Sequence, residues 1–193
     1  MTGHYHILDL ERIKNMKEIF LIFAKYNEAA NKAIVTILNT LSNDDREKSR
    51  KSYFGSLSGL VRHILEGQVY ILGMFKDAAA GNAAASKALA SLAKIEIPEG
   101  KKLGEEQWKA VTAGLKAADK AYINFIDALE EKDFNAPVAV EWYKGKPPTA
   151  PLYFMLQSLE AHGTHHRGQV SQILDSLKID NDWSGISPAF LPK

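Results

Sequence analysis

The chain has no cysteine, almost no net charge and no long apolar run. Without cysteine it has no disulfides, no thiolate metal ligands and no cysteine nucleophile. This fits a reducing cytoplasm, where the protein is expected. Lys and Arg number 24 against 23 Asp and Glu, with the signs mixed along the sequence. No basic block or stripe stands out, so the electrostatic footprint of a nucleic-acid binder is missing. The best apolar stretch, residues 19–24, is far too short to span a bilayer. Residues 1–10 lack a positive start followed by an apolar run and a cleavage site, so no signal peptide is expected. At 193 residues, 46% of them hydrophobic, one globular domain over 1–193 is expected. A chain of this length can bury a core unaided, so a metal site in it points to chemistry rather than to stapling.

Four segments carry helical periodicity. In residues 10–41, Met16, Phe20, Phe23, Asn27, Ala30, Ile34, Ile37 and Leu41 make one stripe. Ile19, Leu21, Ile22 and Tyr26 flank it and leave that helix apolar more than halfway round, which suggests a homodimer face. Residues 56–78 form the second helix, with Leu60, His63, Gly67, Tyr70 and Met74 along one side. Residues 78–104 are Ala-rich and punctuated by Pro98, Gly100 and Gly104. They read as an insertion, a connection or lid with a short helix at 86–94. The third helix covers 105–131 and the fourth 152–177, with Thr149 as its expected cap. Between them, residues 135–151 read as a loop with two short extended pieces and a turn at Lys144-Gly145-Lys146. The tail, residues 178–193, carries Trp183 as a packing anchor. The pattern predicts an all-α antiparallel four-helix bundle with a helical or irregular insertion between its second and third helices.

Three of the six histidines fall within the stretch His162-Gly163-Thr164-His165-His166-Arg167-Gly168-Gln169. At about 100° per residue, His162 and His166 lie near the centre of the stripe formed by Leu159, Val170, Ile173 and Leu177. His165 lies a quarter turn away, and Arg167 points to the opposite side. Two imidazoles at i and i+4 on a core-facing stripe can share one metal ion. Two ligands rarely suffice, and His63, in an equally apolar setting, supplies a third. Three imidazoles from two helices, with open positions for water, make a catalytic-type site. The spacing alone also permits the plainer reading, in which these are neutral core histidines with hydrogen-bond partners. His4 and His6 fall in a tail and are not read as ligands.

The stretch from His162 to Gln169 resembles the last-helix signature of the DinB family (DinB/YfiT superfamily). Arg50-Lys51-Ser52-Tyr53-Phe54-Gly55-Ser56 followed by His63-Ile64-Leu65 resembles the second-helix motif, and Tyr26-Asn27-Glu28-Ala29-Ala30-Asn31 the first. The resemblance implies a four-helix bundle whose metal ligands fall on His63, His162 and His166. Relatives often carry an acidic residue five positions after the second-helix histidine and an aromatic three further on. Here those positions are Gln68 and Ile71, with Tyr70 beside the second.

The resemblance further implies metal-assisted transfer or hydrolysis. Some relatives use a low-molecular-weight thiol such as bacillithiol, mycothiol or glutathione as co-substrate; others are metal-dependent hydrolases. The expected ion is one divalent transition metal, zinc or nickel, whose bound water or thiol becomes a nucleophile near neutral pH. The sequence names no further catalytic acid or base. Gln169 is placed to hydrogen-bond a ligand or bound water; Asn31 is a second candidate for that role, but a buried Asn such as Asn27 or Asn31 more often satisfies a neighbouring backbone or side chain. Gly67 is expected to leave room near the ion. The competing functional reading is a non-catalytic, stress-induced metal-binding protein. No nucleic-acid or membrane partner is expected, only a small-molecule substrate.

Overall fold

The structure, a computed structural model, describes residues 15–142, 145–146 and 148–191. His4, His6, the beginning of the first expected helix and Lys144 of the expected turn lie outside them. The chain is mostly helical, with one small two-stranded sheet among the described residues. Four long helices carry the architecture: α1 (Met16–Leu38), α3 (Leu57–Gly73), α5 (Glu105–Ala128) and α6 (Leu152–Ser176). Two short ones, α2 (Asn43–Glu47) and α4 (Ala83–Ala90), lie in the connections. α1 packs on α5 and α6, and α3 packs on the same two, so the long helices close a ring around one core.

Local chemistry sets most of the helix starts. Four orphan N–H groups at each N-terminus need acceptors. The Asn15 side chain accepts from Glu18 N at 3.0 Å, Ser56 Oγ from Gly59 N at 3.0 Å, and Asn82 Oδ1 from Ala85 N at 3.1 Å. Ser42, just past the first expected helix, caps α2 by accepting from Asp45 N at 3.1 Å. α5 opens with Glu105 and Glu106, favoured by the helix dipole, and the Gln107 side chain reaches back to accept from Gly104 N at 2.9 Å. α6 starts differently. Thr149 is not its cap but belongs to β2 (Thr149–Pro151), paired antiparallel with β1 (Pro137–Ala139) in the register Pro137↔Pro151, Val138↔Ala150, Ala139↔Thr149. Leu152 N donates to Ala136 O at 2.9 Å, so the sheet supplies what a capping side chain would.

The stripe on α1 is centred slightly away from the sequence reading. Ala24 and Leu38 are fully buried, whereas Phe23 and Ile37 are half-buried. α3 ends at Gly73, and the chain turns through to residue 81 instead of remaining helical to 78. α5 stops at Ala128 and is followed by a 3-10 turn, Glu131–Asn135, whose Phe134 stacks on Phe20 with ring centroids 5.6 Å apart. The insertion is not a lid. Its helical part, α4 and the 3-10 turn Ser91–Lys94, packs on α5 and buries Ala85, Ala88, Leu89 and Leu92.

Of the four residues that suggested a dimer face, Tyr26 is buried within its own chain. Its hydroxyl donates to Trp183 O at 2.8 Å, and Trp183 packs against the core. The tail therefore straps α1. A partly buried neutral hydrogen bond contributes about 1 kcal/mol. Tyr26→Phe should lower unfolding stability by about that amount in urea titrations, with an unchanged m-value.

Candidate metal centre

α3 and α6 bring three imidazoles together. His63 comes from the first half of α3, and His162 and His166 from successive turns of α6. One nitrogen from each lies within 4.8 Å of the other two. His63 Nε2 and His162 Nε2 are 3.2 Å apart. Two nitrogens held by one tetrahedral ion at about 2.0–2.1 Å are separated by roughly 3.3 Å, so the spacing fits a shared ion. Ring centroids are 5.1 Å apart for His63–His162, and 4.5 Å for both His63–His166 and His162–His166. The sequence-predicted trio therefore converges, and His165 stays exposed outside it.

The far sides of two rings are engaged. His166 Nδ1 donates to Gln169 Oε1 at 2.8 Å, which leaves Nε2 with its lone pair. Gln169 Nε2 in turn approaches His165 Nε2 at 3.4 Å. His63 Nδ1 faces Glu66 Oε2 at 3.6 Å, and Arg62 pairs with the same carboxylate at 3.2 Å. A carboxylate or amide oxygen behind a histidine ligand fixes its tautomer and raises its basicity. Gln169 is where the sequence reading expected it. Glu66 was missed, although its i+3 spacing from His63 was a usable signal.

Burial favours the neutral form of all three rings. It lowers His162 from 6.5 to about 4, with the nearby His166, His63, His165 and Arg167 adding smaller effects in the same direction. Burial also lowers His63, opposed by Glu66, and His166, opposed by the Gln169 bond. Neutral imidazoles are the form that ligates metal.

Gly67 explains how His162 fits. A Cβ at Gly67 would overlap the His162 ring, 2.7 Å from Nε2 and 2.8 Å from Nδ1. The space left by the missing side chain is thus filled by a histidine rather than left open for an ion. Tyr70, considered as a replacement for the family aromatic, is 48% exposed on the outside of α3.

Behind the histidines lies a buried polar layer drawn from all four long helices. Arg167, read from sequence as facing outward, is 1% exposed. α6 buries a second face against α1, and that face is polar, so hydrophobic periodicity did not reveal it. Arg167 Nη1 donates to Asn27 Oδ1 and, at 3.4 Å, to Asn31 Oδ1; Nη2 donates to Thr164 Oγ1 at 3.2 Å. Asn27 and Asn31 pass the interaction on, their Nδ2 groups donating to Asp119 Oδ1 at 2.8 and 2.9 Å. Gln68 Nε2 donates to the same oxygen at 3.0 Å, and Gln68 Oε1 accepts from Asn27 at 3.2 Å. Asn31, a candidate for hydrogen-bonding a ligand, instead satisfies its buried neighbours in this layer, the commoner role of a buried Asn. Gly163 admits the guanidinium: a Cβ there would sit 2.9 Å from Arg167 Nη1. Burial pushes Asp119 from 3.8 up to about 7, against the opposing hydrogen bonds of Gln68 and Asn31. Glu160 rises to about 7 for the same reason, with Tyr122 and Arg167 pulling the other way.

The sequence profile of the DinB family matches residues 15–177. The match spans the four long helices and the histidine trio, and the chain belongs to the DinB family. Comparison with curated proteins and with solved structures returned no match.

Opposing titrations set the expected pH dependence of the metal-free chain. Asp119 has a raised folded pKa, so its contribution is full below 3.8 and is lost as pH rises through about 7. His162 has a lowered one, so its contribution is full above 6.5 and is lost as pH falls towards 4. Glu160, also raised to about 7, acts in the same sense as Asp119 but is present in both proteins, so Asp119→Asn removes the Asp119 contribution alone. Between pH 5 and 7 the variant's urea midpoint should rise more steeply with pH than that of the parent. Equal slopes would mean that Asp119 stays ionised throughout.

Proposed function

We propose that the protein is a metal-dependent enzyme, a transferase or hydrolase, built as an antiparallel four-helix bundle of one domain. His63, His162 and His166 hold one divalent transition ion, zinc or nickel. The observation that carries this reading is the convergence of three imidazoles, two of them backed on their far nitrogen by Glu66 and Gln169. Such a trio has no carboxylate or thiolate in it, so the ion would keep its full charge. Bound there, an ion supplies acidification of a water or a small thiol, making a nucleophile near neutral pH.

The chain's own residues do the rest. Glu66 and Gln169 hold the ring orientations of His63 and His166, and Gly67 seats His162 close against α3. His63 and His162 are half-buried, so the trio is open to solvent on one side. A small-molecule substrate, with or without a low-molecular-weight thiol, would enter there.

Protein purified without a histidine tag should carry about one divalent ion per chain by elemental analysis. His63→Ala, His162→Ala and His166→Ala should each cut that content at least tenfold, whereas His165→Ala should retain most of it. Gly67→Ala should lower it severalfold by displacing His162. Loss with His165→Ala but not with His166→Ala would overturn the assignment. Turnover of thiol and electrophile pairs, or of hydrolysable esters, by zinc- or nickel-loaded protein tests the enzymatic part. It should vanish in the His162→Ala/His166→Ala double variant.

Chelation separates a catalytic ion from a structural one. The apolar core is built from residues of all four long helices and does not depend on the three histidines, so the chain should remain helical by circular dichroism after metal removal. Its melting temperature should fall, because an ion bound only to the folded state stabilises it by mass action. As pH falls below 6.5 towards about 4, protonation of His162 should compete with the ion and metal content should drop.

A further inference from the structure

One motif has no role in the ligand set. Residues 51–55, just before α3, form a tight turn closed by an isolated bridge between Ser52 and Gly55. Gly55 N donates to Ser52 O at 3.0 Å, Arg50 N to Gly55 O at 2.8 Å, and Ser56 N to Phe54 O at 2.9 Å. Lys51 and Gly55 sit at φ of 55° and 78°, in the left-handed region. A Cβ at Gly59 would overlap the Phe54 carbonyl, so the turn is pressed onto the first turn of α3. A segment held this closely has fixed side-chain directions.

Those directions are informative. Phe54 points inward and stacks on His63, with centroids 3.9 Å apart and planes 21° apart. It also meets His166 edge-on at 5.2 Å. Tyr53 points outward, 95% exposed, and lies edge-on to Phe54 at 5.0 Å. The remaining neighbours of the trio differ in character. Glu66, Gln169 and His165 are polar, and Gly67 backs His162 on the side facing α3. Phe54 is therefore an apolar wall against two of the three histidines, and Tyr53 extends it into solvent.

A group bound through an imidazole nitrogen lies in the plane of that ring. A ring stacked parallel to His63 accordingly flanks whatever His63 helps to hold. We propose that Phe54 and Tyr53 form an aromatic wall that selects ligands carrying a planar aromatic group immediately beside their metal-binding atoms. This rests on the reading of the trio as a metal site, and it assigns the substrate class of that site. Aromatic pairs in stacked or edge-on geometry favour such a ligand over its methyl counterpart by about 3- to 10-fold.

The test uses full-length protein loaded with cobalt, whose visible absorption reports a ligand reaching the ion, and two probes with the same chelating head, benzohydroxamate and acetohydroxamate. Metal content is measured first. Protein that takes up no ion overturns both this proposal and the metal reading. In metal-loaded protein, benzohydroxamate should bind about 3- to 10-fold more tightly than acetohydroxamate. Phe54→Leu should bring the ratio of the two affinities, measured on the metal-carrying fraction, close to one. Tyr53→Ala alters only an exposed ring and cannot act by unfolding the chain; it should lower the same ratio by a smaller factor. Equal affinities in the parent protein, or a ratio that neither variant changes, would overturn the wall while leaving the metal site intact.

Discussion

A guanidinium buried to 1% exposure has to be met by hydrogen-bond acceptors and by opposite charge, or it would not be there. Arg167 finds its charge partner at one remove. Asn27 and Asn31 each accept from it and donate to Asp119, and Gln68 closes the set from α3. Because the members come from α1, α3, α5 and α6, rotating any one of those helices would strand a buried polar group. Greasy packing alone tolerates small slips at low cost; a hydrogen-bonded layer does not. The layer also sits next to the histidines in sequence as well as in space. Gln68 follows Gly67, the seat of His162, and Arg167 follows His166. Orienting the layer orients the trio.

This arrangement keeps two electrostatic problems apart. The layer handles one positive charge with two carboxyl groups whose burial raises them to about 7. The trio presents neutral nitrogens whose burial disfavours protonation. Among the described residues, no carboxylate of the layer hydrogen-bonds a histidine, and Glu66, half-exposed at the rim, is the carboxylate that pairs with the trio, from behind His63.

The histidine trio was legible in the sequence because helical phase is rigid: residues at i and i+4 share a face whatever the environment, and an apolar stripe marks which face is inside. Arg167 was misread by the same logic. An apolar stripe identifies one buried face, and α6 has two, the second carrying Gly163 and Arg167, with the exposed Thr164 accepting from Arg167 at its edge. The role of Asn31 stayed open between the histidines and its neighbours because a stripe shows that a residue is buried, not what it meets. Thr149 looked like a cap because hydroxyl residues before helices usually are; only long-range pairing with residues 137–139 shows otherwise. Glu66 was readable from its i+3 spacing to His63, whereas the stacking of Phe54 on His63 appears only once the turn before α3 is folded back onto that helix.

The start of α6 carries a further consequence. Pro151 pairs with Pro137, Leu152 N is tied to Ala136 O, and the helix then runs unbroken to Ser176. The two-stranded sheet thereby acts as the zero of a ruler laid along the helix. Each residue advances the ruler by about 1.5 Å and turns it by about 100°. A single residue inserted or deleted between Pro151 and His162 would carry both α6 imidazoles off target together while leaving helix content and composition almost untouched. Substitutions in that interval are graded in their effect; changes of length are all-or-none.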